Sequence, residues 1–178
     1  MVKKRNYVNN PDFYAAMVEY QKAIKLAEDA GKDKPQVPNY IAECISLIAN
    51  RLSFKPNFIN YTFREDMIGD GIENCLRYMH NFNPEKTQNP FAYFTQIIYY
   101  AFLRRIQKEK KYLYTKFKAT ENANAMGETA DMQGHDVSGN FNADVKSSDG
   151  AQEYMNEFIT NFENTKAKKT VVKKWRLL

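Results

Sequence analysis

The sequence predicts an all-α protein: a compact helical domain, a flexible linker, and a C-terminal helical appendage that ends in a basic, apolar tail. Three observations predict it. Apolar residues recur at helical spacing through most of the first 118 positions. No segment longer than a few residues alternates as a half-buried strand would. Helix start and stop signals separate the periodic runs. At 178 residues the chain is long enough to bury a real core.

The first helix is announced by "NNPDFYAAMVEYQKAIKLAEDAGK". Asn10 is expected to accept from the first free amides, Pro11 fits the first helical position, and Asp12 suits the positive end of the helix dipole. Phe13, Met17, Tyr20 and Ile24 then share a face, and Gly31 ends the run. After the short linker "DKPQVP" a second helix places Ile41, Ile45, Ile48 and Leu52 on one side. Thr62 and Glu65 have the spacing of a capping box at the start of "TFREDMIGDGIENCLRYMH". The apolar side of this third helix is Met67, Ile68, Ile72, Cys75, Leu76 and Met79, and its polar side is Asp66, Asp70, Glu73, Asn74 and Arg77. Gly69 and Gly71 sit inside it, each costing about 1 kcal/mol relative to alanine, which implies close approach of another backbone or a partner.

"NFNPEKTQNP" is a turn, and Asn89-Pro90 opens a long aromatic helix. Residues 89 to 118 carry nine aromatic rings, more than one buried stripe requires. Phe91, Phe94, Ile98 and Phe102 fit that stripe, whereas Tyr93, Tyr99 and Tyr100 lie off it. From about residue 120 periodicity fails, and "ENANAMGETADMQGHDVSGNFNADVKSSDG" reads as a flexible linker. "AQEYMNEFITNFEN" resumes helical spacing with Tyr154, Met155, Phe158, Ile159 and Phe162. Such a helix either packs back on the core or binds a partner; beyond a flexible linker the second role is a fair competitor. The runs thus define an N-terminal helix (1–34), a helical domain (35–120), a linker (121–150) and the appendage (151–178).

Charge is unevenly spread around a net +5 and a pI near 9.0. Residues 104 to 118 hold seven basic side chains against one acid, Glu109. Exposed rings beside lysine and arginine are what a binder of unpaired bases needs: a ring covers each base face, worth about 1–3 kcal/mol per stack, and the cations meet phosphates. Tyr93, Tyr99 and Tyr100 are the candidates for base contact, with Arg104, Arg105, Lys108, Lys110 and Lys111 for the phosphates. Cys44 and Cys75 fall in apolar patterns and read as buried thiols of a reducing compartment. The two histidines, His80 and His135, and the cysteines have no zinc-site spacing. No phosphate-cradling glycine loop or nucleophile–base set points to an enzyme. No run approaches a membrane span, and the basic start leads into no signal-peptide core.

The forty residues "DMIGDGIENCLRYMHNFNPEKTQNPFAYFTQIIYYAFLRR" resemble region 2 of the sigma-70 family of bacterial sigma factors. Asp66, Ile68, Asp70 and Gly71 match its acidic D-L-I-x-E-G helix. Phe82-Asn-Pro-Glu85 matches the turn that follows, and Phe91-Ala-Tyr-Phe94 the start of its aromatic helix. "NYVNN", "DGIE", "HNF" and "NPFAYFTQ" narrow the resemblance to the late-transcription sigma factors of T4-type phages, over residues 5 to 118. The resemblance implies a catalytically silent, cofactor-free protein of the infected bacterial cytoplasm. Its acidic third helix, through Asp66, Asp70, Glu73, Asn74 and Arg77, would dock on the clamp helices of the largest subunit of host core RNA polymerase. Its aromatic helix would recognise and melt an A+T-rich −10 element of promoter DNA.

Two departures accompany the resemblance. Ile97 and Ile98 stand where the family has tryptophans, and Ala101 and Arg104 where it has base-reading Gln and Thr. In that family the C-terminal tail engages the replication sliding clamp, alongside a late-transcription coactivator. The tail here is apolar but basic, so Phe158, Phe162, Trp175, Leu177 and Leu178 stand as partner-binding candidates toward the clamp, the polymerase or DNA. A polymerase-binding adaptor or inhibitor, and a promoter-independent helical DNA-binding regulator, are the alternative readings.

Overall fold

Why the periodic runs become helices is visible in where their apolar stripes go. The computed structural model describes residues 7–131 and 149–175, and among these every regular element is helical. The order is α1 (Asn10–Asp29), α2 (Asn39–Ser53), α3 (Arg64–Tyr78), a 3-10 turn (Met79–Asn81), α4 (Pro90–Asp131) and α5 (Asp149–Trp175). The all-α class expected from the sequence is the class observed. The chain divides into two compact units, Met1–Gln107 and Lys108–Leu178.

The first unit has one core. Phe13, Met17 and Ile24 from α1, Ile41, Ile45 and Ile48 from α2, Met67 and Cys75 from α3, and Phe94, Ile98 and Phe102 from α4 all belong to it. Each large apolar side chain so buried contributes about 1.5–3 kcal/mol. Phe13 stacks on Phe94 at 5.5 Å between ring centroids. The N-terminal helix is therefore part of this unit and not a separate segment ending at residue 34.

Polar tethers tie α1 to the connection between α3 and α4. Gln21, buried, donates to the Met79 carbonyl at 2.8 Å. The Tyr14 hydroxyl donates to the Pro84 carbonyl at 3.3 Å. The Asn10 side-chain oxygen accepts from the Phe91 backbone N–H at 3.2 Å, so it serves α4 and does not cap its own helix, whose N-cap is Asn9. Asn89 caps α4 locally, accepting from Ala92 N–H at 3.0 Å. At the far end of α1, Gly31 adopts the left-handed φ of +62° that a side chain would resist.

Three other local expectations are corrected. Thr62 and Glu65 form no capping box: α3 begins at Arg64 after Phe63, with no side-chain cap, and Glu65 turns to Arg64 instead. Leu76 is 44% exposed and not part of the core. Helix α4 does not stop near residue 120 but runs to Asp131. The sequence after 120 loses its apolar stripe, and the helix nevertheless continues. Residues 132–148 of the expected linker lie outside the described residues.

The second unit is an antiparallel pairing of the distal part of α4 with α5. Tyr114 stacks on Phe162 with centroids 4.5 Å apart, and Phe117 meets Phe158 edge-on at 5.5 Å. Met155 and Ile159 are buried. Glu163 accepts from the Tyr114 hydroxyl at 2.8 Å and pairs with Lys118 at 3.6 Å. These contacts pull the Tyr114 phenol above its ordinary pKa, first through the hydrogen bond to Glu163. Lys118 is raised too, first through its bond to Glu121.

Candidate functional site

The crossing of α3 over α4 is built around a glycine. A Cβ on Gly71 would stand 3.0 Å from Ile98 and 3.1 Å from Phe102, both wholly buried, so only glycine lets the helices approach this closely. Gly69, two residues away, faces open space, and a Cβ there would touch nothing. The two glycines thus have different causes. Gly71 is required by packing inside the chain, whereas Gly69 leaves bare backbone on an exposed face.

This crossing sorts the polar residues of α3 into two rows. Asp66, Asp70 and Asn74, one turn apart, meet arginines of α4. Arg105 reaches Asp66 at 3.0 Å and Asp70 at 3.2 Å, with its own side chain only 16% exposed. Arg104 donates to the Asn74 side chain at 2.9 Å, and Asn74 donates to the Asp70 carbonyl. Glu65, Gly69, Glu73, Leu76 and Arg77 are all exposed, with Glu73 and Arg77 ion-paired one helical turn apart.

The candidate polymerase-binding residues are therefore not equivalent. Glu73 and Arg77 are open to a partner, and Asp66 keeps 59% of its side-chain surface while paired. Asp70 and Asn74 are engaged within the fold. Arg105, expected to meet phosphates, is instead a structural cation that holds α3 to α4. A cation this shielded is retained only where carboxylates compensate its lost hydration.

The tyrosines also separate. Tyr93, expected to contact bases, is packed: its hydroxyl donates to the Tyr78 carbonyl at 3.0 Å, and its ring meets Phe82 and Phe94 edge-on. Burial raises its phenol pKa, with Cys75 adding to the shift. Tyr99 and Tyr100 are 38% and 50% exposed, in edge contact at 5.9 Å. Tyr99 is buttressed from beneath by Phe58, at 5.6 Å. Phe58 comes from the connection between α2 and α3 and also touches Phe102. Nothing in the residue pattern assigns it this role; the available signal was the density of rings in "SFKPNFINYTF".

In the second unit Lys108, Lys110 and Lys111 are exposed. Phe158 and Phe162, candidates for binding an outside partner, are half-buried against Phe117 and Tyr114, so the amphipathic face of α5 is occupied by the chain itself. Trp175 ends α5, but its side chain, and Leu177 and Leu178 entirely, lie outside the described residues.

The two cysteines lie inside the fold. Both are free and buried, and burial pushes the Cys75 thiol up to about 12. Among the described residues no cluster of His, Cys, Asp and Glu could hold a metal ion, and no helix is long and apolar enough to cross a membrane. Comparison with protein-family models and with characterised proteins returns no match for this chain.

Proposed function

We propose that this chain is a promoter-specificity subunit of the sigma region 2 type, acting with a host RNA polymerase core on an A+T-rich −10 element. The observation that carries the reading is one α3–α4 crossing that presents two different surfaces from a shared rigid base. On α3, Asp66, Glu73 and Arg77 flank the bare backbone of Gly69 and the exposed Leu76, a polar and apolar face that suits a partner helix. On α4, Tyr99 and Tyr100 stand exposed over the buried Phe58, with Arg104 one turn beyond. Unpaired bases leave a duplex only where another flat surface covers them, at about 1–3 kcal/mol per stack. The chain supplies binding and base capture; the polymerase performs the chemistry in the cytoplasm of the infected host.

Run-off transcription with host core polymerase tests this, on templates carrying an A+T-rich −10 element either fully paired or pre-melted at the start site. Specific initiation should depend on the chain. Replacing Tyr99 and Tyr100 by alanine should abolish it on the paired template and largely spare it on the pre-melted one. Glu73→Lys should remove polymerase co-purification on both. Polymerase binding without any initiation would instead favour an adaptor or inhibitor.

A further inference from the structure

The distal part of α4 carries a surface that the α3–α4 crossing does not use. Within residues 108–119 the exposed positions are Lys108, Lys110, Lys111, Tyr112, Thr115, Lys116 and Ala119, and no acid is among them. The spacing of 108, 111, 112, 115, 116 and 119 places those six along one face of the helix. Phe117 lies on the opposite face and Tyr114 well round from the stripe, both against α5, while Lys118, paired with Glu163, flanks the stripe beside Lys111. Glu121 is half-buried and engaged by Lys118, and Glu109 is half-buried as well. Tyr112 is 69% exposed, the most open ring among the described residues.

A helix that pairs its apolar side with α5 and leaves lysines along the other presents a surface complementary to a polyanion. The lysines are spread along the helix and not gathered round a pocket. That arrangement fits a repeating anion such as a phosphodiester backbone better than a single phosphate. We infer that this stripe is a sequence-independent binding face for duplex nucleic acid. Lys108, Lys111 and Lys116 contact phosphates, and Tyr112 packs against the sugar edge between them. The face is distinct from the tyrosine pair of the first unit, which takes unpaired bases, and it operates whether or not the chain works with a polymerase.

The test uses the full chain and a fluorescent duplex of arbitrary sequence, with anisotropy read over a salt series. Each phosphate contact contributes about 0.9 to the slope of log affinity against log salt. A Lys108→Gln, Lys111→Gln, Lys116→Gln variant should therefore bind more weakly and with a slope shallower by about 2.7. Across a fourfold rise in salt, the wild-type affinity should then fall about 40-fold further than the variant's. A control replacing Lys22, Lys25 and Lys86 by Gln removes the same charge from the first unit and should keep the wild-type slope. Circular dichroism melts should show all three proteins equally helical. Equal slopes in the stripe variant and the control would overturn the inference. So would absence of duplex binding at low salt, or tighter, lysine-dependent binding to phosphatidylserine vesicles than to duplex. Failure of the transcription assay with the slope change intact would remove the polymerase reading and leave this one standing.

Discussion

At the scale of single residues, two glycines in one helix make opposite predictions. Gly69→Ala adds a methyl group in open space and removes the backbone-entropy cost of glycine, so the fold should gain about 0.5–1 kcal/mol. Gly71→Ala brings the same methyl group to 3.0 Å from Ile98 and 3.1 Å from Phe102, both fully buried. Overpacking costs typically 1–3 kcal/mol, so a net loss on the order of 1 kcal/mol is expected in spite of the helix gain. Urea unfolding of the two variants checks both signs. Glycine identity alone could not tell these positions apart; only the placement of α4 does. Cys75 supplies a second residue-scale prediction. With its thiol pushed up to about 12 by burial, it should resist an aromatic disulfide reagent at neutral pH in the native protein and react promptly in denaturant.

At the scale of elements, helix existence was legible and helix partnership was not. The stripes of α1, α2 and α4 could be read directly, because burial of one face imposes a 3.6-residue period on the residues that fill it. Arg105 could not. Its place under Asp66 and Asp70 depends on which face of α3 meets α4, and a basic run looks the same whether it meets carboxylates or phosphates. Asn10 misled for a related reason: an asparagine beside a helix start caps whichever free amide reaches it, and here that amide is Phe91, 81 residues on. The end of α4 is not legible because the helix continues after its apolar period has stopped. The pairing of α4 with α5 yields its own test. The Tyr114 phenol and the Lys118 ammonium are both raised in the folded chain. Their contribution is complete below the ordinary values of 10.0 and 10.5 and is lost as pH climbs through the raised ones. Alkaline pH should therefore loosen the pairing. In a phenolate absorbance titration, Tyr114→Phe should remove a tyrosine that ionises above 10.0.

At the scale of the whole molecule, the main revision to the sequence reading concerns boundaries. Changes of composition mark linkers and domains in the sequence, whereas the physical units follow contact: α1 belongs to the first core, and the division falls inside helix α4. A chain beginning at residue 35 should consequently fail to fold as a domain. It would leave Phe94, Ile98 and the Met79 carbonyl without Phe13, Met17 and Gln21, a loss of several buried side chains at about 1.5–3 kcal/mol each. Loss of a cooperative urea transition in that truncation, with the transition kept in the full chain, is the expected result.

The tether between Asn10 and Phe91 has a consequence for how the protein comes into being. Synthesis delivers α1 first, yet the ring that covers Phe13 and the amide that satisfies Asn10 belong to a helix made some 81 residues later. Until then the apolar side of α1 lacks the ring that covers Phe13, so the nascent chain offers chaperones a sticky, half-finished surface until α4 leaves the ribosome. Ribosomal pausing after α3 and before Phe91 and Phe94 have left the ribosome would lengthen that exposure.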